Sequence, residues 1–281
     1  MLANLDDQTA IAAAGGISAV LAAMTAHTGQ VCVQTRGCFV LYNLAYNDDN
    51  QTAIAAAGGI PVVLAAMTAH TGCADVQGKG CGALAILAFN DDNRTVIAAA
   101  GGIPVVLAGM NAHAEVADVQ EQGCGVLLNL ACNDDNITAI EAAGGIPVVL
   151  AAMTAHAELA DVQKQGLWVL SNLACNDDTR TAIAAAGGIP AVLAAMITHA
   201  ELADVQVQGY WILTNLAGNN DNQTASVAAG GISAVLAAMT AHTGKADVQE
   251  HSCKALANLA CDADNATAIA AAAAFTWCWQ Q

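Results

Sequence analysis

Residues 101–107 have the sequence Gly-Gly-Ile-Pro-Val-Val-Leu, and a closely similar sequence follows each of the other Gly-Gly pairs in the chain. Successive pairs are spaced by 43 residues with no insertion, which is typical of a repeat architecture. The pairs begin at Gly15, Gly58, Gly101, Gly144, Gly187 and Gly230. Counting each first glycine as position 1, we predict six full repeats that form one elongated domain.

The predicted repeats cover 15–57, 58–100, 101–143, 144–186, 187–229 and 230–272. Residues 1–14 contain the end of a unit, so we expect a partial repeat there. In residues 273–281 the pattern fails, because Ala-Ala-Phe replaces Gly-Gly-Ile, and we expect a degenerate tail. Since solenoids need polar caps at their ends, the incomplete units predict self-association or a place in a longer protein.

The sequence pattern of each repeat predicts three helices and no strand. The first is short, as in residues 49–57, and ends at the Gly-Gly pair, the expected chemistry for a helix stop. The second starts at Ile60-Pro61, where proline fits a first turn, and ends near His70. The third runs over about 118–131, and an Asn-Asp-Asp cluster then caps the next short helix. The predicted fold class is therefore all-α.

Comparison of the six copies separates two faces of the third helix. Positions 19, 23, 27 and 30 keep one residue type each, apart from Ser252, and they form an apolar stripe of helical period. In the third repeat these positions are Val119, Gly123, Leu127 and Leu130. Positions 21, 25, 28 and 32 vary and lie on the opposite side. We predict a constant core and an individual outward face.

The repeated residues resemble the armadillo repeat family, whose units carry Gly-x-Ile-Pro, Val-Gln and Ala-Leu-x-Asn-Leu-Ala, followed by Asn and Ile. The match includes 101–104, 119–120, 127–131 and 136–140, and the resemblance extends over residues 1–272. It implies a right-handed α-solenoid of three-helix repeats that stack into one core. The family includes importin-α-like import adaptors, signalling scaffolds and vacuolar tethers, and the fold does not choose among them.

Asparagine occupies position 29 in five of the six repeats, with Ile86 as the exception. In importin-α-like proteins the similar asparagine holds the backbone of an extended peptide, and a tryptophan four residues earlier packs its side chains. The resemblance therefore implies groove sites at Trp168 with Asn172 and at Trp211 with Asn215. The remaining predicted groove residues are Phe39, Asn43, Asn129 and Asn258.

Two observations leave an alternative open. Gly82 and Gly125 stand where the tryptophan would be, so the array is interrupted. The position-29 asparagines could also serve only to bond neighbouring loops or helix ends.

The charge balance excludes some partners. The chain has 24 Asp and Glu against 7 Lys and Arg, a net charge of −17. This argues against binding to nucleic acid or to an anionic membrane. An extended protein segment is the expected partner, and a basic segment suits the charge.

Membrane insertion is not expected either. Residues 51–74 carry no charged side chain, but Gly58, Gly59 and Pro61 break the stretch, so we predict a helix pair instead of a spanning helix. The N-terminus has no signal-peptide pattern, and Leu2 stands where N-myristoylation requires glycine. The expected localisation is cytoplasmic, with the nucleus as an alternative.

Residues that carry chemistry elsewhere follow the repeat register in this chain. Histidine fills position 13 of every repeat, most cysteines fall at positions 24 and 32, and aspartates gather before the short helix. Adjacent repeats lie roughly 8–10 Å apart, too far for two imidazoles to share a zinc ion. We interpret the histidines and aspartates as helix-end residues, and the cysteines as small helix residues. We predict no metal, no cofactor and no enzymatic activity.

Five Asn-x-Thr sequons share one register position, so the repeat pattern accounts for them without glycosylation. They start at Asn50, Asn93, Asn136, Asn222 and Asn265. The leading prediction is a protein-interaction scaffold that binds an extended segment in the groove of the third helices. The alternative is a structural repeat array, or a fragment of a larger multidomain protein, with no specific peptide site.

Overall fold

The computed structural model describes residues 5–218, 220–260 and 265–270. In this part of the chain every regular element is an α-helix, and the helices follow the order that three-helix repeats predict. The all-α repeat fold is confirmed. The predicted tail over 273–281 lies outside the described residues.

The described residues fall into two compact units, divided between Val148 and Val149. The first unit contains α1 (Leu5–Ala13), α2 (Gly16–Ala26), α3 (Val31–Leu44), α4 (Asp48–Ala56), α5 (Gly59–Ala69), α6 (Ala74–Leu87), α7 (Asp91–Ala99), α8 (Gly102–Ala112), α9 (Ala117–Leu130) and α10 (Asp134–Ala142). Helix α11 (Gly145–Ala155) includes the boundary. The second unit continues with α12 (Ala160–Leu173), α13 (Asp177–Ala185), α14 (Gly188–Thr198), α15 (Ala203–Leu216), α16 (Asn220–Ala228), α17 (Gly231–Ala241) and α18 (Ala246–Leu259).

The two glycines of each pair have different roles. Gly101 takes φ of +79°, in the left-handed region that glycine adopts without steric cost, and it ends one helix before the next begins. Gly102 has ordinary φ, but a Cβ there would lie 2.5 Å from Ile97 Cγ2. The pair is therefore needed for both the turn and the close approach behind it.

The Asn-Asp-Asp cluster caps the short helix, as predicted. Asn47 Oδ1 accepts a hydrogen bond from the backbone N–H of Asn50 at 3.1 Å, at the start of α4. Asp48 and Asp49 lie in the first turn of that helix, exposed to solvent, where negative charge suits the helix dipole. The same capping bond recurs at Asn90 and at Asn133.

A buried glutamine at position 20 ties the third helix of each repeat to the end of its second helix. Gln120 Nε2 donates to the carbonyls of Met110 at 2.9 Å and His113 at 2.8 Å. These carbonyls lie in the last turn of α8 and at its C-terminal cap, where the regular i to i−4 hydrogen bonds of the helix end. The equivalent pairs of bonds are made by Gln34, Gln77, Gln163, Gln206 and Gln249.

The position-13 histidines connect neighbouring repeats. His113 is the C-terminal cap of α8, as predicted, but its ring bonds the preceding repeat: Nε2 lies 2.7 Å from the carbonyl oxygen of Thr71. Because a carbonyl oxygen only accepts, Nε2 carries the proton. The same contact is made by His70, His199 and His242.

The predicted apolar stripe forms the core of the stack. Val119, Leu127 and Leu130 are fully buried, and within each unit successive third helices pack against one another. Gly123 lets α9 approach α8, because a Cβ there would lie 2.6 Å from Met110 Sδ. The residues of the stripe are thus buried in the core, and the positions on the opposite side of the third helix are not needed for this packing.

Candidate functional site

We call the outward surface of the third helices the third-helix face. It comprises positions 21, 22, 25, 28 and 29 of these helices and position 32 just beyond their ends. In the second unit this face carries Trp168 on α12 and Trp211 on α15, at the same register position of two helices that pack together. Their side chains are 44% and 45% exposed. Large aromatic side chains with this exposure on adjacent helices are unusual unless something covers them.

The ring of Trp211 packs near a histidine of the next third helix. The ring of His251 on α18 lies 5.4 Å from that of Trp211, between centroids. The neighbouring residue Tyr210 points inward, is fully buried, and its hydroxyl donates to the carbonyl of Val235 at 3.4 Å. Burial raises the pKa of Tyr210 to about 12. The fixed inward Tyr210 leaves Trp211 on the outside of the same helix turn.

Two of the predicted asparagines bridge neighbouring third helices. Asn215 Nδ2 donates to the carbonyl of Ser171 at 3.5 Å, and Asn129 Nδ2 donates to that of Ala85 at 2.8 Å. Both carbonyls sit in the last turn of the preceding third helix, where helix carbonyls lack an intrahelical partner. Each bond uses one of the two amide N–H donors, so the second N–H and the side-chain oxygen of each asparagine can still bond a ligand.

The other predicted residues lie on the same face. Asn43 Nδ2 donates within its own helix, to the carbonyl of Phe39 at 2.7 Å. Asn172 and Asn258 are half-buried on α12 and α18. Phe39 is 49% exposed on α3 and takes the register position of the tryptophans. The structure therefore places all eight predicted residues on third helices, and among them it sets Trp168, Asn172, Trp211 and Asn215 on one adjacent pair.

The face of the first unit has a different aromatic cluster. Phe39 and Tyr42 stack with centroids 6.4 Å apart, and Tyr42 meets Tyr46 edge-on at 5.2 Å. The hydroxyls of the two tyrosines lie 2.5 Å apart. Burial, followed by the Tyr42 hydroxyl, raises the pKa of Tyr46 to about 12. The three rings together form a mostly apolar wall.

Three ion pairs lie on or next to this face in the part of the chain that the structure describes. Lys79 Nζ on α6 lies 3.1 Å from Asp118 Oδ2 on α9, which joins two repeats. In the second unit the pairs stay within one helix, Lys164 with Asp161 on α12 and Lys254 with Glu250 on α18, each at 2.6 Å. The hydrogen bond from Lys254 lowers the pKa of Glu250. Both units thus carry acids that a basic partner can use.

Two apolar clefts lie on the other side, between second helices. One in the first unit has a volume of about 210 Å³, and one in the second unit about 130 Å³. Pro61 and Ala65 line the first, Ala191 and Ala194 the second, and neither is lined by a charged side chain. The two clefts lie at equivalent register positions and are lined mainly by apolar side chains.

Comparison with known families identifies the repeat. A family model described as the LRRK2 ARM repeat matches residues 5–187, well over half of the chain. The chain belongs to the LRRK2 ARM repeat family. The resemblance to armadillo repeats predicted from the sequence is thereby confirmed.

Solved structures support the same armadillo-like fold. The chain is similar to an engineered protein solved in crystals by the Northeast Structural Genomics Consortium, at a TM-score of 0.83 and 28% identity, covering 96% of this chain. The chain spans 64% of the length of that engineered protein. A second engineered protein from the same consortium matches at a TM-score of 0.76 and 26% identity, covering 87% of this chain and 96% of its own. A search of curated proteins found no match.

The armadillo repeats account for the residues that suggested other chemistry. Within the described ranges, no three His, Cys, Asp or Glu side chains gather closely enough to hold a metal ion. The sequon asparagines are buried, and Asn93 Nδ2 donates to the carbonyl of Leu87 at 3.0 Å, so the folded chain hides it from a glycosylating enzyme. Burial raises the pKa of the Cys38 and Cys124 thiols to about 12, and that of Cys81 still further.

Among the described helices, none is both long and apolar enough to cross a bilayer by itself, although six sharply bent pairs meet the length and composition test together. Armadillo solenoids are generally protein-interaction scaffolds and are typically not enzymes. The fold therefore points to binding, and the third-helix face is where this chain differs from repeat to repeat.

Proposed function

We propose that this armadillo array is an interaction module that binds an extended segment of a partner protein on the third-helix face of the second unit. One observation carries the proposal: Trp168 and Trp211 are each nearly half exposed on adjacent helices, and Asn172 and Asn215 follow one turn later. This set combines flat apolar walls with amides that can bond a peptide backbone.

The exposed tryptophan surface supplies a driving force of useful size. About 45% of a tryptophan side chain is roughly 100 Å², so covering both rings is worth at most about 5 kcal/mol by area. That upper bound corresponds to several powers of ten in affinity before the costs of association. The tryptophans are large enough to dominate binding.

The asparagines can orient the bound segment. The bond from Asn215 to Ser171 is long, at 3.5 Å, and leaves the side-chain oxygen to accept a backbone N–H. A strand-like segment presents such an N–H at every second residue on one side. Third helices that pack side by side in the same register therefore offer repeated contacts to an extended chain.

A basic segment suits the charge of this face. The side chains of Asp161 on α12 and Glu250 on α18 are 68% and 62% exposed, in a chain with a net charge of −17. Opposite charge raises the rate of association and favours the right partner more than it raises affinity. We propose the cytoplasm as the place of action, since the repeats carry reduced, unpaired cysteine side chains such as Cys38 and Cys81.

A second candidate function is a structural array with no peptide site. It is favoured by the bonds from Asn129 and Asn215 to preceding helices, because those bonds give the asparagines a purely structural use. The two candidates differ in one respect: only the first requires the tryptophans for binding.

The test is a peptide library titrated against wild type and the Trp168→Ala/Trp211→Ala double variant. We expect selected peptides to lose at least about tenfold in affinity, from the lost apolar contact. Ile197→Ala is the matched control, because Ile197 is 67% exposed on the second helix α14. Equal affinities for all three proteins would contradict the proposal.

Because each tryptophan is more than half buried, the double variant also needs a folding check by circular dichroism and thermal melting. A Trp168→Leu/Trp211→Leu variant keeps an apolar stem in each site and removes the outer ring. If that variant melts like wild type and still loses affinity, the loss belongs to the exposed rings. If it binds like wild type, the rings are not the binding surface.

A further inference from the structure

A small cavity of about 80 Å³ opens on the third-helix face of the first unit. It is lined by Phe39, Tyr42, Gly78, Lys79, Gly82, Asp118 and Gln122. These residues come from α3, α6 and α9, the third helices of three successive repeats. The cavity is thus built by the stacking of repeats and not by a single loop.

Glycine at two positions of α6 makes the cavity. A Cβ on Gly82 would lie 3.1 Å from the Tyr42 ring and 3.2 Å from Gln122 Oε1, which is tighter than ordinary contact. A Cβ on Gly78 would lie 2.4 Å from Asp118 Oδ2, so the carboxylate rests on the bare helix backbone. Gly82 has the register position that Trp168 and Trp211 hold in the second unit.

The lining combines aromatic rings with hydrogen-bond acceptors. Phe39 and Tyr42 supply ring surface, and Asp118 and Gln122 supply oxygen atoms. Lys79 is the one cation among the lining residues, and it is already paired with Asp118 at 3.1 Å. The side chains of this pair are 36% and 50% exposed, so the ion pair is open to exchange with a competing cation.

The size and charge of the cavity select its ligand. An apolar cavity that binds benzene measures about 150 Å³, so a space of half that size excludes an aromatic ring but admits a flat group of a few atoms. Aromatic faces attract cations, and a carboxylate binds a guanidinium through two parallel hydrogen bonds. An anion would meet Asp118 and the strongly negative charge of the chain.

We propose that this cavity binds the guanidinium group of an arginine side chain displayed by a partner protein. The guanidinium stacks on the Phe39 and Tyr42 rings and pairs with the Asp118 carboxylate, while Lys79 turns to solvent. Lysine fits less well, because an ammonium is a compact, strongly hydrated charge that neither stacks nor binds two oxygens side by side. The site does not include Trp168 or Trp211, since every lining residue lies in the first unit.

The experiment uses the isotope-labelled full chain and three neutral-capped pentapeptides that differ only at the central residue: arginine, lysine or citrulline. We expect chemical-shift changes from the arginine peptide around Gly78–Gly82 and Gln122, with affinity at least about fivefold above the lysine peptide. Citrulline has the same shape without charge and should bind more weakly still. Equal binding of lysine and arginine, or no shifts in this region, would overturn the proposal.

Two glycine variants provide a matched pair. Gly82→Ala narrows the cavity and should abolish arginine-specific shifts, whereas Gly125→Ala makes the same change one repeat later, where the new Cβ meets only Ala85 at 3.7 Å. Both changes add helix propensity, so folding should be retained. Retained arginine binding in Gly82→Ala would overturn the proposal.

Charge variants decide the sign of the ligand. Asp118→Asn should weaken the arginine peptide about tenfold or more, while Asp161→Asn, the same register position in the second unit, should leave it unchanged. Lys79→Ala should strengthen binding, because it frees Asp118 from its competitor. Weaker binding of the arginine peptide in Lys79→Ala would contradict the proposal.

Trp168→Ala/Trp211→Ala serves as the last control. Because those residues lie in the second unit, the arginine peptide should shift the same first-unit signals in this variant. A loss of arginine shifts there would show that the two faces form one site and would overturn the independent cavity. Failure of the tryptophan proposal leaves this result unaffected.

Discussion

The third-helix faces of the two units differ at one register position and its neighbours. In the second unit, position 25 holds Trp168 and Trp211, which stand out as apolar walls. In the first unit it holds Phe39 and then Gly82, and the missing side chain leaves a small polar cavity beside the rings. The same helix register thus presents a protruding surface in one unit and a recess in the other.

Beneath this difference the two units are built alike. Gln120 in the first unit and Gln206 in the second make the same two bonds to carbonyls at the end of the second helix. Gly123 and Gly209 admit a methionine at the same place. The comparison teaches that the repeat fixes the core by a few obligatory contacts and leaves the outer positions free to diverge.

The largest expected effect tests that common construction. Gln120→Leu and Gln206→Leu each remove two buried side-chain hydrogen bonds to carbonyls at the end of a second helix, so each should lower the free energy of unfolding by about 2–3 kcal/mol. Urea unfolding of the two variants measures this. The shared framework requires similar losses, and a difference above about 1.5 kcal/mol between the two units would argue against it.

The next effect separates core from face within one helix. Gly123→Ala places a Cβ 2.6 Å from Met110 Sδ, so it should destabilise the chain by about 1–3 kcal/mol. Gly125→Ala, two residues later, makes only an ordinary contact with Ala85 at 3.7 Å and should stabilise by about 0.5–1 kcal/mol through helix propensity. Opposite signs in thermal melts are expected. The same sign for both would mean that the glycines do not mark core and face.

A smaller effect concerns the position-24 thiols, which are buried at Cys124 and exposed at Cys253. Burial raises the pKa of Cys124 to about 12, so the native chain keeps a proton that the unfolded chain loses above about pH 9. Its stabilising contribution is complete below that pH and is lost as the pH rises toward 12.

Cys124→Ala should therefore make stability less dependent on pH, by about 1 kcal/mol per pH unit between pH 9 and 11. Cys253→Ala is the matched variant at the same register position, where the thiol is exposed. Urea unfolding at several pH values compares the two variants. An unchanged slope in Cys124→Ala would contradict the burial of this thiol.

Much of the fold could be predicted from the sequence because the repeat supplies six internal copies. The period of 43, the glycine stops and the stripe at Val119 and Leu127 are visible without a structure. The asparagine caps followed from residue type and spacing. Each of these depends on short-range geometry, which a sequence encodes directly.

Contacts between repeats could not be predicted in the same way. The position-13 histidine was expected at a helix end, but its carbonyl partner belongs to the preceding repeat, which depends on how the units stack. The structure also places Asp118 against Gly78 and Tyr42 against Gly82, and both contacts join different repeats. The interruption of the tryptophan array at Gly82 was the one sequence signal for that recess.

The most direct test of the account is hydrogen–deuterium exchange of the full chain with and without a peptide selected from the library. The account predicts slower exchange in α12 and α15, the helices that carry Trp168 and Trp211, and unchanged exchange in the second helix α14. Protection centred on α14, or tight binding without protection of α12 and α15, would contradict it.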